Sequence, residues 1–392
     1  MDRMVAKDAL DRTRAENLRF LLDLTNRTLP RIGNAVMSPL GVDIVLGALL
    51  AGTAGKTRDE FLSVMGLPIS PEGTAEAYCS ALTRMFPGLG LANLIVVKRG
   101  FDLQKDYLTF VVDKMNAVVG QVDLQDPDTV IGINEWVSKR TRGKILSLID
   151  SLDPMAIMVA INATQFVRGW KMPFEDAQPG PFTNADGKVV TAQMMTKSSN
   201  LFRGVLEIEG VCRCAALPYD LTGEDDEGSD TVMVLLLPND DGPTSVEECL
   251  EALDSETWID LLDHLSKEGS DKVHITMPRF EIRSSYQSTQ ITDALKRMGL
   301  VSAFNFDTAD FSKMIEGVAG GDLRLSRVAQ AAFIKVDEQG TEAAAGTFAE
   351  IVYRGASVQG DEIVLDRPFA FLIADPKVKV PSFVGVVRDP TR

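Results

Sequence analysis

Leu18, Leu21, Leu22, Thr25 and Leu29 recur at helical spacing, so the chain opens with an amphipathic helix. A second helix is predicted from Pro39, suited to a first turn, through Val42, Val45, Leu46 and Leu49. Trp136, Val137, Arg140, Ile145 and Ile149 predict a third, carrying Lys139, Arg142 and Lys144 on a solvated face. Strands are predicted at 158–161, at 232–237, and at the alternating Val273, Ile275 and Met277, with His274 on the opposite face. Between two apolar runs, the acidic stretch 223–230 reads as a surface loop, because its charges cannot be buried unpaired. Helices dominate the first third and strands much of the rest, with no repeat and no low-complexity linker, which favours one α+β domain over separate modules.

The 392 residues are 45% hydrophobic and 24% charged, enough to build a core and too apolar for a disordered chain. No apolar run reaches the roughly 18–20 residues of a membrane span. A formal charge of −16 argues against nucleic acid, heparin or an anionic membrane as partner. Four cysteines are too few for a disulfide-built fold, and Cys212 and Cys214 read as small apolar strand residues. With only His264 and His274 as histidines, no metal site and no cofactor are expected. Met1-Asp2-Arg3 leads into polar sequence without a signal-like apolar segment. The chain is then cytoplasmic if complete, or secreted if a leader has been removed.

Enzyme motifs are absent. Gly55-Lys56-Thr57 lacks the glycine five residues before it, where Leu50 stands, and Gly88-Leu89-Gly90 lacks the third glycine of a dinucleotide loop. No G-x-S-x-G or H-E-x-x-H occurs.

The informative stretch is 331–357. Ala331–Val336 reads as a buried strand, and Asp337–Glu342 as a charged turn with Gly340 free to take unusual backbone angles. The small residues Ala343, Ala344, Ala345, Gly346 and Thr347 follow, then the exposed-looking Glu350–Ser357. A long loop set between strands is usually functional. If it entered a sheet, every second residue would have to fit beneath covering helices, which Ala, Gly and Thr do at little steric cost.

Residues 337–347 resemble the hinge of the serpin family. Further matches follow in family order: Asn34–Leu40, Gly52–Thr57, Ile133–Val137, Asn162-Ala163, Gly169–Phe174, Ala309–Ser312, Arg367–Phe369 and Phe383–Val387. The resemblance covers essentially the whole chain. It implies a single α+β domain with three β-sheets, about eight or nine helices and an exposed reactive-centre loop at about 338–362. In that family a protease cleaves the loop and forms an acyl-enzyme, and the freed hinge inserts into the main sheet; loop insertion of this kind is a known form of strand addition. The resemblance assigns the hinge to Glu338, Gly340, Thr341, Glu342 and the residues Ala343 to Thr347. It assigns the sheet-opening region to Ser38, Asn162, Gln330 and Trp170.

Counting along the resemblance from Glu338 places the scissile bond at Arg354–Gly355, flanked by Val352, Tyr353, Ala356 and Ser357. An arginine there suits trypsin-like serine proteases, whose specificity pocket has an acidic floor. A bond one residue earlier would make Tyr353 the determinant and chymotrypsin-like enzymes the targets. The expected protein is a metastable monomeric inhibitor, not an enzyme; the alternative is a non-inhibitory serpin acting as carrier, chaperone or interaction protein. Heparin is not expected as a cofactor, since residues 76–85 carry one basic side chain. The chain departs from the family pattern at Gly41, Asp43 and Gln330, which implies a different hydrogen-bond network under the sheet.

Overall fold

The computed structural model describes residues 2–69, 73–83, 89–153, 155–199, 203–208, 210–220, 230–239, 245–265, 273–287, 289–316, 323–341 and 361–392. Among these residues there are nine α-helices and three β-sheets, the α+β architecture expected. The chain divides into two compact units: 1–28, 37–165 and 283–333 form one, and 29–36, 166–282 and 334–392 the other.

In the first unit the opening helix spans Asp2–Thr28 and buries Leu18, Leu21, Leu22 and Thr25. The helix Pro39–Leu50 begins at Ser38, whose hydroxyl accepts from the Gly41 amide, with Pro39 in the first turn. Every residue of that helix is buried, as its nearly unbroken apolar sequence demands. A sheet runs in the order Ala117–Val122, Leu89–Lys98, Met158–Phe166 and Leu325–Asp337. Its last two strands are parallel, with Gln330 opposite Asn162. Their small residues Ala163, Ala329 and Ala331 share a core with Ile133 and Val137 of the helix Pro127–Arg140.

The third predicted helix ends earlier than its apolar spacing suggests. It stops at Arg140, because Arg142 and Gly143 both take positive φ (50° and 78°) and the Gly143 amide turns back to the Ser138 carbonyl. Ile145, Leu148 and Ile149 lie beyond the helix yet are buried in the same core. The Asn134 side chain holds them there: its Oδ1 accepts from the amides of Leu148 and Ile149, and its Nδ2 donates to the Ile149 carbonyl.

The second unit holds two further sheets. One runs Ala35–Met37, Pro381–Val387, Phe369–Ala374, Val232–Pro238, Cys212–Pro218 and Arg203–Ile208. Val232–Pro238 is paired on both edges and fully buried, so an uninterrupted apolar run fits it. The other sheet runs Asp361–Val364, Val273–Pro278, Val189–Ser199 and Gln178–Thr183. There His274 is half-buried, with Nδ1 2.6 Å from Ser198 Oγ. Cys212 and Cys214 are buried free thiols with sulfurs 3.8 Å apart. Residues 223–229 of the acidic stretch lie outside the described residues, and its last residue, Asp230, is exposed.

Candidate functional site

Two groups of side chains involve the residues that the sequence resemblance assigns to sheet opening and to the start of a hinge. Ser38, Asn162 and Gln330 come together in the first unit, all fully buried. Gln330 donates through Nε2 to the Ser38 carbonyl (2.7 Å) and to Asn162 Oδ1 (2.8 Å), while its Oε1 accepts from the Ser38 amide (3.0 Å). Asn162 in turn donates to Asn93 Oδ1 at 2.7 Å. One amide side chain thus crosses from Leu325–Asp337 to its parallel neighbour and to the helix cap at Ser38. Gly41 is integral to this lock, since a Cβ there would meet Asn162 Oδ1 at 2.4 Å. Asp43 takes no part in it. Its Oδ1 accepts from Asn17, its Oδ2 has no partner, and burial pushes its carboxyl up to about 7 against the Asn17 hydrogen bond.

Trp170 lies in the second unit, against the turn at 337–341. The strand Leu325–Asp337 turns through Glu338 and Gln339 into Gly340–Thr341, which pairs with Val336 and Asp337 on one edge and with Arg168–Gly169 on the other. The Trp170 amide donates to the Gln339 carbonyl and its indole N–H to the Asp337 carbonyl, both at 2.9 Å. Its ring stacks on Tyr219 with centroids 4.5 Å apart, and the Tyr219 hydroxyl lies 2.6 Å from Thr341 Oγ1. Gly340, at φ 153°, has no room for a side chain: a Cβ would sit 2.3 Å from the Arg168 carbonyl oxygen.

Glu338 is fixed by charge. Both its oxygens accept from Arg279 Nε, at 2.7 and 2.6 Å, Oε1 also accepts from Arg279 Nη2, and the Ala177 amide donates to Oε1 at 2.8 Å. Burial pulls the carboxyl upward, but the Arg279 hydrogen bonds and the Ala177 amide outweigh it and hold the group below the ordinary Glu value. The glutamate side chain is 8% exposed and that of Arg279 is 47% exposed.

Glu342, Ala343, Ala344, Ala345, Gly346, Thr347, Val352, Tyr353, Arg354, Gly355, Ala356 and Ser357 lie outside the described residues. Arg279, Tyr219 and Asn93 were not singled out from sequence. Arg279 offered one cue, a charge at the junction of the strands Val273–Pro278 and Phe280–Tyr286. Among the described residues, no group of three or more His, Cys, Asp or Glu side chains could hold a metal ion.

A family model described as Serpin (serine protease inhibitor) matches residues 15–390. Serpin-ZXA of Oryza sativa subsp. japonica is 31% identical, the match covering 95% of each chain. Leukocyte elastase inhibitor A of Rattus norvegicus is 29% identical over 91% of this chain and 93% of its own. Among solved structures, the thermophilic serpin Tengpin in its native state superposes with a TM-score of 0.81 at 26% identity, covering 96% of this chain and 94% of that one.

Proposed function

Because this chain belongs to the serpin family of serine protease inhibitors, we propose that it traps trypsin-like serine proteases as a suicide substrate, with 1–392 acting as one working domain. The serine hydroxyl of the protease attacks the Arg354 carbonyl, the peptide bond to Gly355 breaks, and Arg354 is left as an acyl ester on the enzyme. The segment beyond Thr341 then enters as a new strand between Met158–Phe166 and Leu325–Asp337, carrying the protease with it. A single molecule holds bait, hinge and sheet, so the active species is the monomer, and no cofactor is required.

The observation that carries this reading is the arrangement of the two parallel strands. They are hydrogen-bonded to each other over 158–165 and 325–333, and Gly340–Thr341 already occupies a strand position between their continuations, 168–169 and 336–337. A strand growing from Thr341 is therefore started in the right place. Glu338 to Arg354 is sixteen steps, about 50 Å when extended at roughly 3.3 Å per residue. About ten new ladder hydrogen bonds at roughly 0.5–1.5 kcal/mol each supply about 5–15 kcal/mol, comparable to the whole stability of a typical protein. Opening the strands must first break the Gln330–Asn162 lock, which keeps the unreacted form closed.

Mixing the protein with trypsin and running a denaturing gel tests the proposal. The expected result is an SDS-resistant adduct, with inhibition greatly slowed by Arg354→Ala. Clean loop cleavage with fully active trypsin would instead identify a non-inhibitory member. Loss of inhibition in Tyr353→Ala but not in Arg354→Ala would move the scissile bond by one residue.

A further inference from the structure

In the second unit, three polar side chains stand in one row across adjacent strands of a sheet. His274 is registered opposite Ser198 of Val189–Ser199 on one side and opposite Glu362 of Asp361–Val364 on the other, so all three share one face. His274 Nδ1 lies 2.6 Å from Ser198 Oγ, and its Nε2 lies 3.9 Å from Glu362 Oε1. With its proton on Nδ1, the imidazole donates to Ser198 and turns the Nε2 lone pair toward the carboxylate. A metal-binding histidine is held in this way, one ring nitrogen on a hydrogen-bonding partner and the other bare. Both donors are open to solvent: the side chain of His274 is 39% exposed and that of Glu362 is 62% exposed. Arg213 lies close by, yet its Nη2 donates to the Glu362 backbone carbonyl at 2.6 Å and leaves the carboxylate to His274. Zinc bonds of about 2.0–2.2 Å in tetrahedral geometry set two donors about 3.4 Å apart, so a small rotation of the exposed Glu362 side chain closes the gap.

We propose that His274 Nε2 and the Glu362 carboxylate bind a divalent cation of the zinc type, which ties the edge strand Asp361–Val364 to Val273–Pro278. Imidazole suits zinc, copper or nickel rather than magnesium or calcium. The chain supplies two donors where structural zinc sites use four, so water completes the coordination and the ion exchanges with solvent. The strand that it holds is four residues long and lies at the sheet edge, where pairing is least secure. The site is independent of the inhibitory reading, since none of its residues belongs to the hinge, the lock or the scissile bond.

Zinc chloride titrated into the full chain by isothermal calorimetry should reveal one saturable ion per molecule, and magnesium chloride none. His274→Gln should abolish that binding, whereas His264→Gln, which changes the only other histidine, should leave it intact. Glu362→Gln and Ser198→Ala should each weaken it about tenfold or more, Ser198 acting by aiming the ring. Equal melting temperatures of the metal-free proteins show that the variants are folded. Zinc should also slow amide hydrogen exchange in 361–364 in the wild type and not in His274→Gln. Zinc binding that survives His274→Gln, no binding up to millimolar zinc, or unchanged exchange in 361–364 would overturn the proposal.

Discussion

Glu338→Gln removes the charge from the turn that opens the hinge while keeping its shape. The carboxylate accepts three contacts from Arg279 and one from the Ala177 amide. A hydrogen bond to a charged group contributes about 1.5–3 kcal/mol, and the glutamine amide still fills the same space and keeps one acceptor oxygen. Arg279 is half exposed, so its guanidinium returns to water in the variant and no buried charge is stranded. The net loss is therefore about 1–2 kcal/mol. Unfolding entropy near 2.1 cal/mol/K per residue over 392 residues is roughly 0.8 kcal/mol/K, so the melting temperature should fall by about 1–2.5 °C, within reach of scanning calorimetry. The pH dependence makes the test specific. A carboxyl whose folded pKa is depressed contributes stability that is full above its unfolded value and is lost as pH falls through the folded value. The gap between wild type and Glu338→Gln should thus be constant near neutrality and close as the pH drops below about 4.5, the ordinary Glu value. A gap of equal size at pH 3 and pH 7, or none at pH 7, would refute the assignment of this stability to the ion pair.

Gly41→Ala should destabilise the protein by about 1–3 kcal/mol in thermal scans, since the new methyl displaces Asn162 from Gln330; unchanged stability would mean that the lock tolerates rearrangement. Asp43, held at about 7, keeps a proton in the folded state that the unfolded chain releases, so wild-type stability should decline between about pH 4 and pH 7, by up to about 4 kcal/mol. Asp43→Asn should flatten that slope, and an identical profile in the variant would remove Asp43 as its source. Thr341→Arg places a guanidinium where a fully buried hydroxyl meets Tyr219, and trypsin should then cleave the loop without forming an adduct; retained full inhibition would contradict the insertion route.

Local pattern revealed the elements but not where side chains converge. The Val232–Leu237 run and the Pro39 start of a helix were readable because burial and capping act within a few residues. Ile145 and Ile149 misled, since apolar spacing reports which residues reach a core and not whether helix brings them there; Asn134, fourteen and fifteen residues away from the amides it binds, does that work. The lock joins Ser38 to Gln330 across 292 residues, so only the family resemblance grouped those positions. That resemblance also placed Trp170 with them, whereas its indole bonds the turn at Asp337. Arg279 and Tyr219 escaped notice because an arginine after one strand and a tyrosine after another have no periodic signature.

The two restraints differ in kind, and that difference decides how the molecule responds to its surroundings. The lock is made of neutral amides and backbone groups, fully buried, so neither salt nor moderate pH changes its strength. It is not fully satisfied either: Asn93 accepts from Asn162, but its own Nδ2 is buried without a partner, a cost of about 1–3 kcal/mol carried by the closed arrangement. The clamp at Glu338 is charged on both sides and open to solvent on one, and it weakens with acid and with ionic strength. If the segment beyond Thr341 inserts as proposed, a dependence of its release on pH or salt should trace to Arg279 and Glu338. The resistance of the paired strands to opening should depend on the packing that Gly41 permits.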